Sequence, residues 1–248
     1  MPHIFGRNPV VEALQNDQPI EKIYIHHNAH GEKISHIYKL ARTGKIPIAK
    51  IDSRKIGKIA GDVNHQGVIA LISPIQTAPI EDLMENVSKE EKQPCIVLLD
   101  RINDPHNMGA IIRSAEVFGA SGIIYPTREN VPLTETVIKA SAGAAFHIPI
   151  CKSGNLVTTI QELKRNNFWI YGSAIDADTE LWKTDFNRNC VIIIGSEEKG
   201  IRPLIRKQCD VLFKIPQKGK TESLNASVAA GVILSEILRQ RREDPIKS

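Results

Sequence analysis

The feature that most constrains this chain is a rhythm in its second half. Short runs that are apolar throughout alternate with stretches whose apolar residues recur at helical spacing. The runs are CIVLL (95–99), GIIYP (122–126), FHIPI (146–150), FWIYGSA (168–174), CVIIIG (190–195) and DVLFKI (210–215). A strand with no polar face is buried on both sides. The stretches between them, GAIIRSAEVFG, TETVIKASA, NLVTTIQELKRN and the final SLNASVAAGVILSEILRQRR, read as helices. This alternation predicts an α/β fold with a parallel sheet covered on both faces. Ligands in such sheets sit beyond the carboxyl ends of the strands, so the loops after 95–99, 190–195 and 210–215 are where chemistry is to be sought.

The first part of the chain reads as a smaller α/β unit. KIYIH, IPIAKI and GVIALI are strand-like. HGEKISHIYKLARTG reads as a helix with Ile34, Ile37, Tyr38 and Ala41 on one stripe and Gly44 at its end. DSRKIGKIAG reads as a short helix capped by Asp52. Next comes SPIQTAPIEDLMENVSKEEKQP, with three prolines and a charged run. It is read as a linker with a short helical piece at EDLMENV. The division expected is residues 1–74, a linker 75–93, and 94–248.

The net charge of +4 is carried by residues 1–72, which contain 10 Lys and Arg against 6 Asp and Glu, with six of the eight histidines. A basic, His-rich unit beside a neutral one points to a polyanionic partner. The longest apolar runs are strand-sized, so no membrane span is expected. The start MPHIFGRNPVVEAL has no basic segment leading into an apolar run, so no signal peptide is read. Cys95, Cys151, Cys190 and Cys209 lack metal-ligand or redox spacing and read as reduced thiols of a cytoplasmic protein.

Three loops carry chemistry-bearing residues. In DRINDPHNMGAIIRSAEVFG a helix is expected to begin near Met108 to Ala110. That puts Asn107 just before it and Arg113 in its first turns, off the apolar stripe. Taken alone, Asn107 reads equally as a helix cap and Arg113 as an ion-pair partner. In IIIGSEEKGIRP, Gly195 and Gly200 flank Glu197 and Glu198. An acid in the middle of a glycine turn repels a pyrophosphate and suits a cationic or hydroxyl-rich ligand. In IPQKGKTESLNASVAAG the GKT tripeptide suggests a nucleoside-triphosphate loop, but that template requires glycine where Lys214 stands. What remains is a turn at Gly219, Ser223 as the expected N-cap, Asn225 in the first turn, and a face of small residues at Ala226, Ala229 and Ala230.

NMGAIIRSAE, IIIGSEEKG and IPQKGKTESLNASVAAG, in that order, closely resemble the three motifs of the SpoU (TrmH-type) ribose 2′-O-methyltransferases of the SPOUT superfamily. The resemblance covers residues 94–241. GRNPVVEAL and HQGVIA in the first unit resemble that family's substrate-binding domain, which is similar to an L30e-type RNA-binding fold. The two units together most resemble the 23S rRNA guanosine 2′-O-methyltransferases. The resemblance implies a C-terminal trefoil knot and S-adenosylmethionine as cofactor, held around Gly195, Gly200, Ile215, Gln217, Gly219 and Leu224. It implies catalytic roles for Asn107, Arg113, Glu197, Ser223 and Asn225. It also implies a homodimer through the second unit and no metal. RNA contact is expected from Arg7, Asn8, His26, Lys50, Arg54, Lys55 and His65, chosen for basic character and loop position. A tRNA ribose as target, and a non-catalytic RNA-binding or ribosome-assembly role, stand as alternatives.

Overall fold

The computed structural model describes residues 3–16, 18–72, 75–90, 93–219 and 223–242, with backbone alone for 88–90. Lys220 and Thr221 of the GKT turn and the last residues of the basic tail lie outside them. The chain forms two units, Met1–Gln76 with Pro132–Glu135, and Thr77–Val131 with Thr136–Ser248.

In the first unit, strands β1 (His3–Phe5), β2 (Ile20–His26), β3 (Ile48–Ile51) and β4 (Val68–Ile72) form a sheet of order β1-β4-β2-β3. Strand β4 is antiparallel to β1 and β2, and β3 runs parallel to β2. Helices α1 (Arg7–Gln15), α2 (Glu32–Thr43) and α3 (Ser53–Ala60) complete it. Strand β1 and helix α1 were not read from sequence, because three strand residues and a Pro-containing helix start give little periodicity. The α2 stripe buries Ile34, Ile37 and Ala41 beside Ile23, Ile25, Val68 and Ala70. Tyr38 lies at the edge of that stripe and stays exposed. The Asp52 side chain accepts from the Lys55 amide at 2.7 Å, which caps α3 as expected.

Among the described residues the second unit holds seven strands: β5 (Cys95–Asp100), β6 (Gly122–Pro126), β7 (Ile150–Ser153), β8 (Trp169–Ser173), β9 (Thr179–Glu180), β10 (Cys190–Gly195) and β11 (Val211–Lys214). Their order is β7-β6-β5-β10-β8-β11-β9, and every pairing is parallel. The expected strand FHIPI begins later, at Ile150. Residues 144–146 instead make a 3-10 turn entered through Gly143 at φ +88°. Helices are α4 (Ile80–Glu90), α5 (Pro105–Val117), α6 (Glu135–Ala140), α7 (Leu156–Arg165), α8 (Pro203–Arg206) and α9 (Ala226–Arg241).

The linker expectation is corrected by α4. Its Leu83, Met84 and Val87 are buried with Ile96, Leu98, Ile124 and Ile160 on one side of the sheet. An amphipathic turn that finds an apolar partner becomes part of the core whatever the prolines around it suggest. Val97, Leu99, Ile192 and Ile194 alternate to the other face and are buried too. Helices α5 and α9 pack on each other, and α9 packs on β10.

Chain direction decides where the ligand face lies. From β5 the chain moves through β6 to β7 on one side, whereas β10 and β8 lie on the other. The order reverses between β5 and β10. Loops leaving such a pair diverge and open a crevice at the carboxyl edge.

Candidate active site

The crevice is built from the buried strand ends outward. Asp100 closes β5 opposite Gly195 of β10. Its carboxylate is fully buried and accepts from the Arg202 amide at 2.8 Å and from Arg202 Nε at 2.7 Å. Arg202 Nη1 also donates to Glu129 Oε2 at 3.0 Å. One guanidinium therefore ties the end of β5 and the loop after β6 to the segment after β10, in the charge-assisted geometry suited to arginine.

Gly195 is demanded by packing. A Cβ there would lie 2.3 Å from the Gly200 carbonyl carbon and 2.5 Å from the Ile201 nitrogen. The chain folds back on itself at this point. Ser196 and Gly200 exchange backbone hydrogen bonds of 3.2 and 2.8 Å, and Gly200 takes the left-handed φ of +58°. The closed loop holds Glu197 up from the sheet edge.

Two helix starts differ from the sequence expectation. Helix α5 begins at Pro105, with Asp104 as its cap accepting from the His106 amide at 2.8 Å, so Asn107 lies inside the first turn. Helix α9 is capped by Asn225 rather than Ser223. Asn225 Oδ1 accepts from the Ser227 amide at 2.9 Å, from the Ser227 hydroxyl at 2.6 Å and from the Val228 amide at 3.3 Å. Asparagine caps as well as serine does, and here only Asn225 reaches the free amides.

These shifts bring three distant segments together. Asn107 Nδ2 donates to Glu197 Oε1 at 2.9 Å. Asn225 Nδ2 donates to Asn107 Oδ1 at 2.9 Å and also to Glu197 Oε1. The Ala226 amide donates to the same carboxylate oxygen at 3.2 Å. Glu197 Oε1 thus sits at the amino end of α9, where the helix dipole and unpaired amides favour negative charge. Its second oxygen has no partner among the described residues.

Arg113 is not in this cluster. It lies six residues past Asn107, roughly 9 Å along the helix axis, and its side chain is exposed. Among the described residues it makes no hydrogen bond or ion pair, so the ion-pair reading is not realised. Because α5 starts at Pro105, earlier than expected, Arg113 falls about one turn further along the helix, in its third turn. Ser223 is exposed and lines the neighbouring cleft.

That cleft, of about 300 Å³, opens beside Glu197. Of the residues expected around a cofactor, Gly195, Gly200, Ile215, Gln217 and Leu224 line it, and Gly219 does not. Sequence reasoning missed its fourth wall, Ser173 to Asp176 after β8, and also Arg206 of α8. The available signal was the position of that wall, since it lies at and just beyond the carboxyl end of the strand read at 168–174. Ile175 and Leu224 are large apolar residues left 63% and 37% exposed at the cleft. Asp176 Oδ1 accepts from Arg206 Nη1 at 2.9 Å, and that hydrogen bond holds its carboxyl below the ordinary carboxylate range. The lining combines apolar side chains, backbone of glycine turns and a few charges, as small-molecule sites do. Among the described residues no group of three metal-ligating side chains occurs, and no helix is long and apolar enough to cross a membrane.

A profile of the SpoU rRNA methylase family matches residues 94–235. The chain belongs to this family. A profile for RNA 2′-O ribose methyltransferase substrate binding matches residues 3–78. Among relatives, a TrmH family tRNA/rRNA methyltransferase of Bacillus subtilis is 37% identical over 239 residues, which cover 96% of each chain. Among solved structures, the SpoU methyltransferase AviRb from Streptomyces viridochromogenes in complex with AdoMet aligns with a TM-score of 0.61. It is 24% identical, over 96% of this chain and 90% of that one. The A. aeolicus TrmH/SpoU tRNA modifying enzyme aligns with a TM-score of 0.56 at 29% identity, over 65% of this chain and 82% of that one.

The first unit of this SpoU family chain collects its expected RNA-contacting residues on one edge. Strands β1, β2 and β3 end there and β4 begins there. Arg7 donates through Nε to the Gln66 carbonyl and through Nη1 to the His30 carbonyl, both at 3.1 Å. Asn8 Oδ1 accepts from Lys33 Nζ at 2.6 Å. His26 Nε2 shares a 2.8 Å hydrogen bond with Ser53 Oγ, and His65 Nδ1 accepts from the Gly67 amide at 3.0 Å. These four residues brace the loops. Lys50, Arg54 and Lys55 are exposed, and their charged groups have no partner among the described residues.

Proposed function

We propose that this chain transfers a methyl group from S-adenosylmethionine to a ribose 2′-hydroxyl of RNA, with a guanosine of 23S rRNA as the target. The observation that carries the reading is the convergence of Asn107, Asn225 and the Ala226 amide on one Glu197 oxygen, at the lip of a cleft lined by Gly195, Ile215 and Leu224. The cleft suits the cofactor because backbone turns and apolar side chains face a purine, and carboxylates accompany a sulfonium. When bound, that cofactor supplies an already activated methyl group.

The chain's own work is positioning and charge. Asn225 spends its amide oxygen on the α9 cap and its amide nitrogen on Asn107 and Glu197, so neither side chain swings freely. Glu197 keeps one oxygen open toward a hydroxyl proton or a ribose. Arginine is not deprotonated in proteins, so Arg113 acts as a guanidinium fork that holds phosphate and the attacking oxygen and stabilises developing negative charge. The freedom of its guanidinium among the described residues supports that role. Ser223 contributes at the cleft mouth.

The reading includes a trefoil knot. Strand β10 pairs with β5 and β8, while β11 lies on the far side of β8, so the chain must cross back over β8, which supports it. It also includes a cytoplasmic homodimer joined through the second unit. Helices α5 and α9 bury most of their apolar residues on each other and on the sheet, but Val117 and Val228 stay largely exposed. Each is an exposed apolar side chain available to a second copy. A monomeric mass by light scattering at micromolar concentration would remove the dimer.

The test incubates the protein with labelled S-adenosylmethionine and separate unmodified rRNA and tRNA, then maps any alkali-resistant linkage. Label on a ribose of 23S rRNA is expected. Label on tRNA instead favours the alternative to which the A. aeolicus neighbour belongs by name. Absence of transfer to both leaves only an RNA-binding role.

A further inference from the structure

The cleft contains an ion pair that the reaction as described does not use. Asp176 stands in the loop after β8 and Arg206 in α8, and they meet at 2.9 Å on the cleft wall. Both are open to an incoming group, with side chains 68% and 37% exposed. Neither is held loosely. The Arg206 amide donates to the Arg202 carbonyl at 2.8 Å, and Arg202 is itself fixed to the buried Asp100. The turn that carries Asp176 is closed by the Ala177 amide on the Ala174 carbonyl at 3.1 Å. Arg206 uses only Nη1 on Asp176, so the rest of its fork has no partner among the described residues. Glu198 and Lys199 also line the cleft, but they form no ion pair among the described residues.

A preassembled carboxylate–guanidinium pair matches one ligand chemistry closely: a zwitterion with ammonium and carboxylate on the same carbon. Building on the cofactor reading of this cleft, we infer that Arg206 and Asp176 form the subsite for the amino-acid tail of the methyl donor. Arg206 receives the tail carboxylate through its open donors, and Asp176 receives the ammonium. Each ligand charge then meets its opposite and is kept from its like, which selects a nucleoside with a zwitterionic tail over one without. The apolar residues Ile175 and Leu224 are left for the nucleoside portion.

The experiment is calorimetric binding of two nucleosides to the full chain, S-adenosylhomocysteine and 5′-methylthioadenosine, which lacks the amino-acid tail. Arg206→Ala is expected to weaken S-adenosylhomocysteine about tenfold, as removal of a charge-assisted hydrogen bond does, and to leave 5′-methylthioadenosine within about twofold. Asp176→Asn is expected to act in the same direction by a smaller factor. The exchange pair Asp176→Arg with Arg206→Asp keeps an ion pair while inverting its placement. It is expected to keep the thermal midpoint of the parent and still bind S-adenosylhomocysteine weakly. Equal losses for both nucleosides, no loss for either, or full affinity in the exchanged variant overturns the subsite. If the unaltered protein binds neither nucleoside, the cofactor reading of the cleft fails and the subsite fails with it. Retained binding of 5′-methylthioadenosine with an unselective Arg206→Ala variant leaves the cleft reading standing and rejects the subsite alone.

Discussion

The edge of the first sheet and the carboxyl edge of the second use polar residues in opposite ways. On the first edge Arg7, Asn8, His26 and His65 brace nearby loops, while Lys50, Arg54 and Lys55 are exposed and have no partner among the described residues. On the second, one glutamate oxygen gathers donors from α5 and from the start of α9, and an arginine bound to a buried aspartate joins the end of β5 to the segments after β6 and β10. The first edge offers charge with little geometric demand. The second spends its hydrogen bonds on geometry and leaves out few groups, Arg113 among them. A surface that recognises a flexible polyanion tolerates loosely placed cations, whereas an in-line transfer loses rate with small displacements.

The contrast breaks most visibly at Glu197 and Arg113. Glu197→Ala releases both asparagines, and Arg113→Ala removes the free guanidinium. Each is expected to lower the methyl-transfer rate on the order of 10²–10³-fold, as loss of a preorganised charge-stabilising group does. Single-turnover assays at saturating RNA measure it, and near-parent rates would show that the cluster is only architectural. Arg113→Lys should stay impaired at neutral pH, because an ammonium lacks the fork.

The rigidity of the second edge is next. Gly195→Ala pushes a methyl group into the Gly200 backbone, so a loss of roughly 1–3 kcal/mol is expected in urea unfolding, with the cleft disturbed as well. Arg241→Ala should cost about 1–3 kcal/mol. Its guanidinium satisfies the carbonyls of Gln93, Phe186 and Arg188 and touches Cys190 Sγ, at 2.6 to 3.2 Å. Alanine at the exposed cations Lys50, Arg54 or Lys55 of the first edge should leave the unfolding midpoint nearly unmoved.

Smaller again is the effect of removing Lys50, Arg54 and Lys55 together by alanine. RNA affinity is expected to fall about tenfold at moderate salt, with the slope of log affinity against log salt flattening by about 0.7–0.9 for each phosphate that no longer meets a cation. The turnover number should hold, since binding equal in ground and transition states affects KM alone. A fall in turnover would place these cations in the chemistry and erase the distinction between the edges. The smallest change is Asp52→Ala, which uncaps α3 beneath that patch at a cost of about 1 kcal/mol.

Legibility followed the same division. The six apolar runs of the second half were readable because burial on both faces leaves no polar residue to confuse the period, and five of them coincide with strands to within a residue or two. FHIPI failed because a glycine with positive φ and two alanines turned its start into a 3-10 turn. EDLMENV was legible as a helical piece, but its polar flanks hid that Leu83, Met84 and Val87 cover the sheet. The two helix caps were each misplaced by a few residues. Asp104 and Asn225 compete with neighbours of equal capping power, and only the surrounding fold chooses among them.

The sequence by itself determined the parallel α/β character, the two-part organisation and the loops that meet at Glu197 and the cleft, because these depend on local patterns of apolar and turn-forming residues. It also contained the three motifs of the SpoU family in their order. Tertiary structure alone decided that Asn107, Glu197 and Asn225 share one oxygen, that Arg113 stands apart from them, and that Asp176 faces Arg206 across the cleft. Those partners lie 28 to 118 residues apart, and side chains at such separations meet only when the strand order of the sheet brings their loops to the same place.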